Sequence, residues 1–202
     1  LFAFLFPLPS ALTELKAIEF PTAGEAEAAA TDLTLRHLAY AAVKESLAGV
    51  LRPLLSGVNM VSAAANARER GMQIEEVTRG QQGAFESYIR LTVRTPEYDR
   101  SVAGTVFSDG RPRIIQVRDI DMEFEIAPRM LFIRNQDKPG FIGKFGLLMG
   151  EAGLNIATLN LGRDKPGGEA ICIVAVDEPV SDEVIAKVRA LPQVKRVNRL
   201  EF

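Results

Sequence analysis

Hydrophobic positions change their spacing several times along this chain, and each change marks an element. Ala17-Ile18-Glu19-Phe20 reads as a short strand, and residues 24–31 are small and acidic, with loop character. From Thr34 to about Pro53 the apolar residues Ala39, Val43, Leu47, Val50, Leu51 and Leu54 recur at helical spacing, and Pro53 should stop or kink that helix. A shorter helix is predicted over Ser62 to Arg70, with Gly71 as its C-terminal cap. From Met72 the period becomes two. Ile74, the Val77 region, Phe85, Ser87, Ile89, Leu91 and Val93 alternate with polar neighbours, which predicts half-buried antiparallel strands. Strands over Ser101–Phe107 and Arg113–Arg118 are separated by Ser108-Asp109-Gly110, a hairpin turn signal. The alternation of Ile120, Met122, Phe124 and Ile126 runs to Ala127-Pro128, where a domain boundary is placed.

The last third reads strand, helix, strand, strand, helix, strand. Met130–Asn135 opens it, and Phe141, Ile142, Phe145, Leu148, Met149 and Ala152 share one helix face. Ile156–Gly162 and Glu169–Val176 flank the turn Lys165-Pro166-Gly167-Gly168. Val184, Ile185, Val188 and Leu191 mark the second helix, and Val194–Leu200 closes the sheet. This order is the split βαβ, ferredoxin-like arrangement. The fold class expected is therefore α+β: an antiparallel-sheet domain with helices over residues 32–128, then a βαββαβ domain over 129–202, preceded by residues 1–31. Architecture of this kind hosts many functions, so chemistry has to be sought in particular residues.

Composition removes several classes of chemistry. With 24 basic and 26 acidic residues the formal charge is −2, which offers no excess to attract nucleic acid or an anionic membrane. The one cysteine, Cys172, sits in Ala170-Ile171-Cys172-Ile173-Val174 and reads as a buried small hydrophobe. The one histidine, His37, has no second histidine with which to share a metal, and no metal site is expected. The start Leu1-Phe2-Ala3-Phe4-Leu5-Phe6-Pro7-Leu8-Pro9 is apolar but lacks a basic flank and is broken by two prolines, so neither a membrane span nor a signal peptide is expected. Without an initiator Met the chain is expected to be a piece, or a processed product, of something longer. Gly140, Gly143 and Gly146 lie three apart within an amphipathic helix, where they suit close packing rather than a dinucleotide fingerprint.

One stretch carries candidate chemistry: Asn135-Gln136-Asp137-Lys138-Pro139-Gly140-Phe141-Ile142-Gly143. It is a strand end turning into a helix whose first free amides, near Phe141 and Ile142, point outward beside polar side chains, an arrangement that suits a small carboxylate. Asp137 could receive an ammonium, while Asn135 or Asn155 could add donors and acceptors. On spacing alone Asp137 serves equally as a helix cap and Asn155 as a turn residue.

Asp137 to Gly143, Gly153-Leu154-Asn155-Ile156-Ala157, and Gly162-Arg163 through Gly168-Glu169-Ala170 resemble the ACT domain of D-3-phosphoglycerate dehydrogenase. Upstream, Gly57-Val58-Asn59-Met60-Val61, Ala67-Arg68-Glu69-Arg70-Gly71, and Ser101 to Phe107 with Pro112-Arg113-Ile114 resemble the intervening, allosteric-substrate-binding domain of that enzyme's long form. The resemblance covers roughly Leu33 to Phe202 and matches residues 1–31 only loosely. It implies a regulatory portion of a cytoplasmic enzyme that oxidises 3-phosphoglycerate with NAD in the first step of serine synthesis. The catalytic domains of that enzyme, and the NAD they bind, lie outside these residues, so no cofactor and no catalytic residue is expected within this chain. It further implies L-serine as the effector, held by Asn135, Asp137 and Asn155 with the amides of Phe141 and Ile142, and a homo-oligomer formed through both domains. A phosphorylated substrate or other anion near Lys44, Arg100, Arg111 and Arg113 is implied for the intervening domain. The alternative expectation is a free-standing ACT-type oligomerisation or binding protein without a serine response.

Overall fold

In the computed structural model the described residues are 14–21, 47–49, 51–52, 55–70, 73–79, 88–94 and 99–202. The chain divides into two compact units that meet in sequence at Pro112 and Arg113. The first contains strands β1 (Glu14–Pro21), β2 (Gln73–Arg79), β3 (Ile89–Arg94) and β4 (Asp99–Val106), with helix α1 (Ala63–Glu69). Their order in the sheet is β2-β1-β3-β4. β3 and β4 are antiparallel, running from Ile89 opposite Gly104 to Arg94 opposite Asp99.

β1 and β2 are parallel, which differs from the antiparallel pairing expected after Met72. Alternation reports which side chains share a face and is blind to strand direction. Direction is set by the connection, and here more than fifty residues separate Pro21 from Gln73, ample for the crossover that a parallel pair needs. Helix α1 ends at Glu69 with Arg70 as its C-cap. The predicted cap Gly71 lies outside the described residues, as do His37 and most of the helix expected from Thr34 to Pro53. The Ser108-Asp109-Gly110 turn is present: Gly110, at φ 78°, donates its amide to the Phe107 carbonyl, and the Asp109 carboxylate accepts the Arg111 amide at 2.9 Å.

The second unit opens with the hairpin β5 (Pro112–Val117) and β6 (Ile120–Glu125). It continues through β7 (Arg129–Gln136), helix α2 (Phe141–Glu151), β8 (Ile156–Arg163), β9 (Glu169–Val176), helix α3 (Asp182–Arg189) and β10 (Val194–Glu201). The sheet order is β10-β7-β9-β8, every neighbour antiparallel, which is the predicted βαββαβ arrangement. The alternating residues Leu131 and Ile133 of β7, and Cys172, Val174 and Val176 of β9, join Phe141, Phe145 and Met149 of α2 and Val184, Ile185 and Val188 of α3 in one core. Each of these side chains leaves water almost completely, which is worth roughly 1.5–3 kcal/mol for a large one. Cys172 belongs to this core, and burial pushes its thiol up to about 12, so it is a packing residue as expected.

The intervening residues, Met130 and Phe132 of β7 and Ile171, Ile173 and Ala175 of β9, are also buried. β6 lies against β8 and β9. Gly162 permits this close approach, because an added Cβ would fall 2.6 Å from Ile120 Cγ2 and 2.9 Å from the Asp121 carbonyl oxygen. At the start of β9, Glu169 gathers Lys195 at 2.9 Å, Arg118 at 3.2 Å and Arg134 at 3.9 Å. The Lys195 hydrogen bond, with these charges around it, holds the Glu169 carboxyl below the usual range.

Candidate functional site

The row Leu131, Ile133, Asn135 continues the core face of β7 toward its end, where the third position is polar. Asn135 is 2% exposed. Its Nδ2 donates to the Gln136 carbonyl at 3.1 Å, and its Oδ1 is a buried acceptor with no hydrogen-bond partner. A buried amide oxygen left in that state costs free energy on the order of 1–3 kcal/mol unless something donates to it.

Two residues on, Asp137 begins the turn into α2. Its Oδ2 accepts from Arg163 Nη1 at 2.8 Å and from the Gly167 amide at 3.0 Å, while its own amide donates to the Gly168 carbonyl at 2.9 Å. The Gly167 hydrogen bond, followed by the Arg163 guanidinium, holds the Asp137 carboxyl below its ordinary value. One carboxylate thus ties the end of β7 to the end of β8 and to the β8–β9 turn.

Gly140 caps α2 at φ 91°, a left-handed conformation that only glycine adopts without strain, and no side chain caps the helix. The first helical bond runs from the Lys144 amide to the Gly140 carbonyl, so the amides of Phe141, Ile142 and Gly143 precede it. No acidic residue stands in that first turn. The positive end of the helix dipole is therefore left open to an anion.

These groups surround a cavity of about 520 Å³ walled by Pro139, Phe141, Ile142, Leu161 and Pro166 and carrying Asn135, Asp137 and Arg163 as its polar side chains, with Lys138 beside them. An unpaired buried acceptor, a carboxylate with one oxygen still available and free helix amides together match a small zwitterion. Ammonium would meet Asn135 Oδ1 and Asp137 Oδ1, and carboxylate would meet the amides.

The structure brings Asn135, Asp137, Phe141 and Ile142 to this one cavity and adds Arg163 and Gly167, which sequence reasoning did not assign. A signal for Arg163 exists in the strand pairing: Asn135 and Arg163 both stand opposite Ala170, so the tight β8–β9 turn places a cation across from the site. Asn155 is placed elsewhere within the chain. It precedes β8 while Arg163 ends it, a separation of roughly 27 Å at 3.4 Å per residue. There the Asn155 amide donates to Glu178 at 2.8 Å and its side chain donates to Asp177.

Of the residues expected to hold an anion, Lys44 lies outside the described residues. Arg100 donates to the Asp99 carbonyl at 2.9 Å, and Arg111 follows the Asp109–Gly110 turn. The Arg113 guanidinium stands between Glu125 at 3.3 Å and Glu123 at 3.7 Å, so its charge is matched locally.

Two family models match successive parts of the chain. Residues 12–118 match the D-3-phosphoglycerate dehydrogenase intervening domain, and residues 129–193 match the ACT domain. The chain is 30% identical over 181 residues to D-3-phosphoglycerate dehydrogenase of Methanocaldococcus jannaschii, covering 89% of this chain and 33% of that one. It is 28% identical over 160 residues to the Bacillus subtilis enzyme, covering 79% and 30%. With the Archaeoglobus fulgidus enzyme it shares 34% identity over 148 residues, covering 72% and 28%. The chain spans about a third of the length of these curated relatives. Among the described residues no helix is long and apolar enough to cross a membrane.

Proposed function

The chain belongs to the D-3-phosphoglycerate dehydrogenase family through its intervening and ACT domains, and from that premise we propose that it is the portion that senses L-serine, the end product of the pathway whose NAD-dependent first step the family catalyses. The observation that carries this reading is the unpartnered Asn135 Oδ1, buried beside Asp137 and the open end of α2. Groups of that kind, in one cavity, bind both ends of an α-amino acid.

A homo-oligomer belongs to the same reading. β8 is an edge of its sheet, and edge strands are templates for pairing. Ile142, Leu147 and Leu161 are exposed at 52%, 66% and 41%, and a second copy paired along β8 would cover apolar surface there. In antiparallel self-pairing about the middle of β8, the partner's Asn155 falls opposite Asp164, next to Arg163. Asn155, far from the cavity within one chain, then completes the cavity of its neighbour. The cavity has more room than one small amino acid fills, which accommodates such a contribution.

Calorimetric titration with L-serine, D-serine and glycine tests the proposal. Saturable L-serine binding that is lost in Asp137→Ala is the expected result. Mixing Asp137→Ala with Asn155→Ala copies should restore about half of the sites per hybrid dimer, because one cavity then has both residues intact. A folded protein that binds none of the three amino acids would remove the sensor reading and leave oligomerisation as the role.

A further inference from the structure

Arg163 touches a polar group of the cavity directly, and it reaches that group across a strand. It ends β8, stands opposite Ala170 of β9, and Ala170 in turn stands opposite Asn135 of β7. Two strand spacings, roughly 9–10 Å, separate its backbone from that of β7. The long side chain spans them to place Nη1 at 2.8 Å from Asp137 Oδ2.

Resting on the sensor reading above, we infer that Arg163 is the positioning residue that restricts this cavity to zwitterionic amino acids, acting through Asp137. Arg163 acts on Asp137 both geometrically and electrostatically. Arg163 and the Gly167 amide both take Oδ2 and so fix the carboxylate's rotation, leaving Oδ1 for a ligand. Arg163 also cancels the charge of Asp137. Lys138 lines the same cavity, so the side chains there sum to one net positive charge, with the positive end of α2 added. In the adjoining turn Asp164 and Lys165 carry opposite charges, and Asp164 Oδ1 is occupied by the Lys165 amide.

An amine without a carboxylate brings its ammonium alone against the net positive charge, whereas a zwitterion also brings a carboxylate to the α2 amides, where that charge favours it. Replacing Arg163 by a neutral residue removes one positive charge and leaves Oδ2 held by the Gly167 amide alone. Asp137 then becomes a plain ammonium site that no longer requires the ligand to bring a carboxylate. Lysine at the same position keeps the charge and should keep the selectivity.

The experiment uses the full chain as wild type, Arg163→Gln and Arg163→Lys. Calorimetry compares L-serine with ethanolamine, its decarboxylated counterpart, and carbon-13 NMR follows the Asp137 carboxyl through an acid titration of ligand-free protein. Wild type should prefer L-serine by tenfold or more. R163Q should lose most of that preference, and its Asp137 carboxyl should titrate at higher pH, with the acid limb of L-serine binding moving the same way. R163K should restore both. An R163Q protein with wild-type selectivity and an unmoved Asp137 titration would overturn the inference. If wild type binds neither ligand, the sensor reading fails and the restriction with it; an unmoved carboxyl titration would then remove the positioning of Asp137 as well.

Discussion

Helices α2 and α3 pack into the same core on the same sheet, yet their N-terminal ends are built in opposite ways. At α3, Ser181 accepts the Val184 amide at 3.3 Å, Asp182 and Glu183 fill the first turn, and Lys187 and Arg189 fill the last. A side-chain N-cap and charges matched to the helix dipole are both present there. The start of α2 has neither: glycine stands at the cap and no acid follows it, while the far end is closed by left-handed Gly153, with the Leu154 amide bonded to the Met149 carbonyl at 3.0 Å. α2 is held instead by Phe141, Phe145 and Met149, all at most 2% exposed, with the two rings stacked at 5.9 Å. The difference teaches that packing and a glycine C-cap suffice to hold a helix whose N-terminal end is kept free, and a free helix end suits a carboxylate ligand.

The largest effect should come from removing what holds α2. Phe145→Ala leaves a cavity in the core and should cost about 3–5 kcal/mol in chemical denaturation, whereas α3 would keep its own caps. Next in size is closing the open end. Gly143 is exposed in the first turn of α2, and a Cβ there meets nothing within 4 Å. Gly143→Asp should therefore fold with stability equal to or slightly above wild type while its carboxylate takes the place of the ligand's. L-serine affinity should fall by tenfold or more, and unchanged affinity would mean that the α2 end is not the carboxylate site.

These two positions also show how far the sequence could be read. Apolar residues at helical spacing placed both helices within a residue or two, and Asp137-Lys138-Pro139-Gly140 marked the α2 end as a candidate site. The Ser181 cap with Asp182 and Glu183 was not singled out, because the apolar spacing of Val184, Ile185, Val188 and Leu191 was enough to place that helix. The parallel pairing of β1 with β2 was hidden because alternation carries no direction. Arg163 was hidden because its contact with Asp137 depends on register across β9, and Asn155 was grouped with Asp137 as the entry of the next strand, although pattern alone does not say that this entry lies at the end of β8 remote from Asp137 within one chain.

Opening the closed end is a smaller change. Ser181→Ala removes the α3 cap and should cost about 1 kcal/mol, read as a lower thermal midpoint, with amino-acid binding intact because the α2 cavity is untouched. The smallest effect is one of pH. Lys187, bonded to Glu183 at 2.7 Å, holds the Glu183 carboxyl below its ordinary value. A carboxyl lowered on folding stabilises above its unfolded value, and that contribution is lost as pH falls through the folded one. Amide exchange at Val184 and Ile185 should therefore accelerate in acid relative to Glu183→Gln. The first turn of α2 has no acid and should lack this response.

The central claim is that an amino acid sits between Asn135, Asp137 and the first amides of α2, and chemical-shift mapping of nitrogen-15-labelled protein with L-serine tests it most directly. The account predicts saturable shifts concentrated at the Phe141, Ile142 and Gly143 amides, the Asn135 side-chain amide and Gly167. Shifts absent there, or confined to β5 and β6, would contradict it.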